Sequence, residues 1–150
     1  MRALRTMRTM LAVTSLLAAG GCVDVYGPWG TSGTYHVLAA NGQGIPAVLL
    51  TRVGEDGYTV RLTGGELRLR GDESFRLDLD IVESDRASDT FYTQGLSGVW
   101  DRYGDVIRLE YTDPETGAWL SVAAYRGDGQ LEVTLPGLVY GINVRLVLER

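Results

Sequence analysis

Phe75-Arg76-Leu77-Asp78-Leu79-Asp80-Ile81 is the stretch that decides the fold. Apolar and charged residues alternate without a slip for seven positions. Successive side chains of a strand point to opposite faces, so this pattern puts Phe75, Leu77, Leu79 and Ile81 into a core and Arg76, Asp78 and Asp80 into water. A helix would scatter the same residues around its circumference. The segment is a strand with one wet face, which is how antiparallel sheets read.

Working outward, the same period recurs between turn signals every eight to twelve residues. Upstream, Gly71-Asp72-Glu73 closes a hairpin with a run in which Tyr58, Val60 and Leu62 alternate with Thr59, Arg61 and Thr63. Gly64-Gly65 inside that run suggests a bulge before Leu67 and Leu69. Further back lie Ala47–Val53, started by Pro46, and Gly33–Ala40, which puts Tyr35, Val37 and Ala39 on one face. Downstream come a polar loop over 83–89 and a longer segment, Thr90–Tyr103, interrupted by Gly95 and Gly98. Asp105–Thr112, Ala118–Arg126, Gln130–Leu135 and Asn143–Glu149 follow, with Asp113-Pro114-Glu115-Thr116-Gly117 as a hairpin loop and Pro136-Gly137 as a break. No stretch has the 3.6 period of a long amphipathic helix. The expectation is an all-β domain over 33–150: an antiparallel up-and-down meander of eight or nine strands. Closure into a barrel would remove exposed edges, and a β-sandwich is the alternative.

The N-terminus has a different composition. Arg2, Arg5 and Arg8 precede an apolar run from Met10 to Ala19, too short to span a bilayer but of the length of a signal-peptide core. Small residues then lead into Cys22, the sole cysteine, so no internal disulfide can form. Ala19-Gly20-Gly21-Cys22 resembles the lipobox of bacterial lipoproteins, with Ala19 where the commonest form has Leu. The resemblance implies a helical signal peptide over 1–21, removed on export, and a lipidated tether over 22–32. It also implies a diacylglycerol on the Cys22 sulfur and an acyl chain such as palmitate on the new amine. Two or more chains give stable attachment where one is marginal. Ordinary secretion with a free Cys22 thiol is the other reading. Val23 stands where an Asp would favour inner-membrane retention, so the lean is to the outer membrane of a host with two membranes.

Removing the first 21 of 150 residues leaves 129, enough for a core without staples. Taking the three leader arginines from 14 leaves 11 basic groups against 19 acids, a net charge of −8. Such a surface repels phosphate backbones, so nucleic acid is not an expected partner.

Gly33-Thr34-Tyr35, the Gly42–Pro46 turn, the serial hairpins and the closing Val144–Arg150 run are similar to the lipocalin-like small lipoproteins of bacterial envelopes. Lipocalins mark the first strand with Gly-x-Trp and lay a basic side chain from the last strand over that Trp. Tyr35 stands here in place of the Trp, and Arg145 is the expected basic partner. The resemblance implies a small apolar or amphipathic ligand in the barrel. The alternative is a filled barrel whose surface meets another envelope component.

Chemistry is otherwise sparse. His36 is the lone histidine, and no Gly-x-Ser-x-Gly, His-Glu-x-x-His or phosphate loop is present. Neither a catalytic set nor a cofactor or metal is expected. Asp78 and Asp80 share a face that would suit Ca²⁺, but Arg61, Arg68 and Arg70 on neighbouring strands make a solvated, ion-paired face the simpler reading.

Overall fold

The computed structural model describes residues 30–150. The leader, Cys22 and the tether up to Trp29 lie outside the described residues. The described chain forms β1 (Gly33–Ala40), β2 (Gln43–Gly44), β3 (Ala47–Arg52), β4 (Tyr58–Leu69), β5 (Ser74–Ser84), β6 (Asp89–Tyr103), β7 (Val106–Thr112), β8 (Trp119–Gly127), β9 (Gln130–Val139) and β10 (Ile142–Glu149). Strands β4 to β10 pair serially and antiparallel, and β1 pairs with both β10 and β4. That double pairing closes an eight-stranded barrel, with β2 and β3 as additions. The all-β, closed-meander expectation holds, and the sandwich does not.

The Phe75–Ile81 pattern sits at the centre of β5. Phe75, Leu77, Leu79 and Ile81 are buried, opposite Leu69, Leu67, Gly65 and Leu62 on β4. The bulge expected near Gly64-Gly65 is present as a register shift between Leu62 and Gly64. It has a structural use. On one side of the shift β4 pairs with β1, from Glu66 to Leu69; on the other it pairs with β3, from Tyr58 to Leu62. One edge of β4 thus serves two partner strands in succession.

Three boundaries differ from the expected ones. The polar loop shrinks, because β5 runs on to Ser84 and β6 starts at Asp89. Gly95 and Gly98 do not interrupt β6, which pairs with β5 without a shift from Asp89 to Val99. Gly98 is required there by close approach: a Cβ would lie 2.0 Å from the Glu110 carbonyl oxygen of β7. Pro136-Gly137 does not end β9 either. What stops is its pairing with β8, which covers only Gln130 to Val133, while pairing with β10 continues. A register shift in β1 between Val37 and Ala39 also makes Ala40, not Ala39, the fully buried residue.

The core lies inside the barrel. Tyr111 and eleven Leu or Ile side chains, among them Leu62, Leu79, Ile107, Leu135 and Leu146, each retain under 2% of their surface. A central space able to hold a small molecule would leave its lining accessible to water, so this part of the interior is filled by side chains. Tyr58, Tyr92, Trp100, Leu120, Val122 and Ile142 pack half-buried against it.

Candidate functional site: the closed mouth at Tyr35

The chain enters the barrel at the end that carries the β4–β5, β6–β7 and β8–β9 turns. Here Gly30–Ser32 lies against the barrel end, and Thr31 and Ser32 are the buried polar residues of the described chain. Tyr35, 3% exposed, donates its hydroxyl hydrogen to the Thr31 carbonyl at 2.7 Å. Arg102, on the last turn of β6, donates from Nη1 to Thr31 Oγ1 at 2.8 Å and from Nε to the Gly104 carbonyl. Arg150, just past β10, donates to the Gly30 and Ser32 carbonyls. The strap is therefore tied through main-chain carbonyls to Arg150 and Tyr35, and through the Thr31 hydroxyl to Arg102.

Gly33 is explained by the same contact. Its φ of 152° lies where side chains rarely go, and a Cβ would meet Arg150 Nε at 3.1 Å. Arg126 completes the cluster: it stands opposite Leu131, in the column of inward-facing positions. Burial pushes the Tyr35 phenol up from its ordinary value; Arg150, Arg126 and Arg102 act against that rise. The phenol is thus a neutral donor holding the strap.

The expected partner of Tyr35 needs correction. Arg145 lies on the outside of β10 and ion-pairs with Glu132 of β9 at 2.8 Å. Its backbone bonds to Asn41, at the far end of β1. The arginine that covers Gly33 and faces Tyr35 is Arg150. The reason is register: His36 stands opposite Glu149, so the residue after Glu149 reaches the start of β1, while Arg145 falls beyond Ala40. Residue type and location in the last strand region were legible, whereas the pairing offset that selects among its arginines was not.

The remaining candidates separate. His36 is exposed on the outer face. Asp78 pairs with Arg76 at 2.7 Å, and Asp80 accepts from Thr93 Oγ1 at 3.2 Å. Glu66 pairs with Arg68. These ion pairs run between i and i+2 of one strand, on one face, and not across strands as expected. Among the described residues no three His, Cys, Asp or Glu side chains are grouped to hold a metal ion. Cys22 and Ala19, Gly20 and Gly21 lie outside the described residues.

At the opposite end, Tyr140 in the β9–β10 turn hydrogen-bonds the Glu83 carboxylate and stacks at a tilt on Tyr58, ring centroids 5.9 Å apart. An open depression of about 370 Å³ lies beside it, lined by Arg52, Tyr58, Arg61, Asp85 and Arg86 among others. Trp119 and Tyr125 stand on the outside of β8, 62% and 61% exposed.

No protein-family model, no curated protein and no solved structure matches this chain.

Proposed function

We propose that the chain is an exported envelope lipoprotein, anchored through lipid on Cys22, whose lipocalin-like barrel is a filled structural or interaction module and not an enzyme. The observation that carries the choice of a filled barrel is the packed interior, twelve large side chains each under 2% exposed. The mouth supports the lipocalin-like reading: Gly33 and Tyr35 sit under a basic side chain from the end of the last strand, with Arg150 in that part.

The mouth also gives the anchor a direction. Gly30 lies at the strap, and a fully extended chain from Cys22 reaches at most about 28 Å. Lipid on Cys22 would therefore keep the closed mouth towards the membrane and turn the Tyr140 end away from it. The supporting sequence is Ala19-Gly20-Gly21-Cys22 behind its apolar run. Detergent-phase partitioning of the processed protein, lost on Cys22→Ser, is the expected result; a Cys22→Ser protein that stays in the detergent phase overturns the anchor.

One observation favours a ligand instead. Between Trp119–Ala123 of β8 and Thr134–Val139 of β9 the wall has no ladder, and Leu120 and Val122 are only half-buried there. An amphipathic molecule would enter by that seam. Native mass spectrometry of the purified protein separates the two readings: a bare chain mass supports the filled module, and a stoichiometric small-molecule adduct supports the ligand binder.

A further inference from the structure

We propose that the free edge of β6, Asp89–Ser97, pairs antiparallel with the same strand of a second copy, about a twofold axis through Thr93. Strand β6 is fifteen residues long and pairs with β5 throughout that segment, but with β7 only from Gly98 to Tyr103. The Trp100 amide donates to the Glu73 carbonyl on the β5 side. Even-numbered residues of β6 therefore direct their N–H and C=O groups to β5, and odd-numbered ones direct theirs to the other side. From Asp89 to Ser97 that other side has no ladder partner among the described residues. A row of such groups is a template for another strand.

Among the other unpaired edges of the described residues, that of β3 is guarded. Pro46 precedes β3, β3 carries a register shift between Val48 and Leu50, and the Val48 amide is capped by Gln43 Oε1. The β6 edge has no proline, no lysine and no bulge. It also carries Phe91, an aromatic 74% exposed on the outer face beside Val82.

What selects a second copy as the occupant is the sequence of the edge read against itself. With Thr93 on the axis, Phe91 stands opposite Gly95 of the other copy, Asp89 opposite Ser97, and Thr93 opposite Thr93. The exposed ring covers a position with no side chain, and Thr–Thr is a favourable cross-strand pair. The single charge of the edge, Asp89, meets a hydroxyl instead of a like charge. An isologous contact requires this kind of self-complementarity. Every odd residue finds a hydrogen-bonding position, and two barrels join through one continuous sheet. The inference is independent of the lipid anchor.

The test uses the full chain carrying Cys22→Ser, which is otherwise free of cysteine. Thr93→Cys is expected to give a disulfide-linked dimer under mild oxidation, because a Cα separation of about 5.5 Å across such a pair lies within disulfide reach. Thr51→Cys, on the guarded β3 edge, is expected to stay monomeric. Sedimentation velocity over a concentration series should show a dimer that Thr93→Pro abolishes. Proline there removes only an N–H that points away from β5, so the melting temperature should move little. A monomer at all concentrations overturns the proposal. So does a dimer that survives Thr93→Pro without a 93–93 cross-link, or a β6 edge found occupied by an extended segment of another protein.

Discussion

Tyr35 and Tyr111 are both buried, yet their hydroxyls differ in kind. The Tyr35 hydroxyl has the Thr31 carbonyl; that of Tyr111 has no hydrogen-bond partner among the described residues, while its ring meets Phe75 edge-on at 6.5 Å. Removing one side of a buried hydrogen bond costs about 1–2 kcal/mol, whereas removing an unsatisfied group costs little or is a gain. Tyr35→Phe should therefore lower the denaturant midpoint and loosen the strap, and Tyr111→Phe should leave the midpoint unchanged or raise it. Equal losses in the two variants would contradict this assignment. Both phenols are pushed up by burial, with Asp113 adding to the rise at Tyr111. A raised pKa favours the fold while the unfolded phenol is still protonated. Stability from these groups is thus fully present below about pH 10 and declines as pH climbs towards their folded values. A pH series of melts in which Tyr35→Phe flattens this alkaline decline checks the sign.

At the scale of the element, turns and close approaches set the register. Gly98 lets β7 pass β6, and a methyl 2.0 Å from the Glu110 oxygen forces the two backbones apart. Gly98→Ala should cost about 3 kcal/mol, at the top of the overpacking range, because the obstacle is main chain and not a side chain that can rotate. A Gly98→Ala protein melting within a degree or two of the parent would refute that placement. Three turns are held by aspartates. Asp72 is bound by Ser74, Asp85 by the Ala87 and Ser88 amides, and Asp113 by Thr116 and the Glu115 amide; each carboxyl is held below its ordinary value by those bonds. A lowered pKa means stability present above about pH 4 and lost as pH falls through the folded values. Asp85→Asn and Asp113→Asn should each shallow the acid limb of the melting curve against pH; an acid limb unchanged in both would contradict the assignment.

For the whole molecule, the barrel is held by a continuous apolar interior contributed by all eight of its strands. Leu79 and Leu135, on opposite sides of the barrel, are both fully buried. Truncating either to alanine should destabilise by about 2–5 kcal/mol, the spread reflecting how far neighbours collapse into the space. Both side chains belong to one core cluster, so the departure of the double variant from the sum, read by urea unfolding, measures how far the two walls are coupled through the interior. If the proteins instead tolerate both truncations and take up an apolar dye in their place, the interior is looser than its burial indicates.

The sequence alone determined the strands of the barrel, because alternation and turn chemistry are local, but it did not show the short β2 inside the Gly42–Pro46 turn. Phe75–Ile81, Asp113–Gly117 and Gly71–Glu73 needed no distant information. The pattern of charge, apolar length and small residues that ends at Cys22 is equally local, and it carries the proposed anchor. Only the tertiary structure decided how β4 divides one edge between β1 and β3, since that depends on a bulge whose two sides face different partners. It likewise decided that Arg150, not Arg145, covers Gly33, because register is a relation between strands more than a hundred residues apart in the chain. The unpartnered length of β6 was hidden for the same reason. Strand lengths can be read from the sequence, but which edge is left uncovered depends on where the shorter β7–β8 hairpin stops beside it.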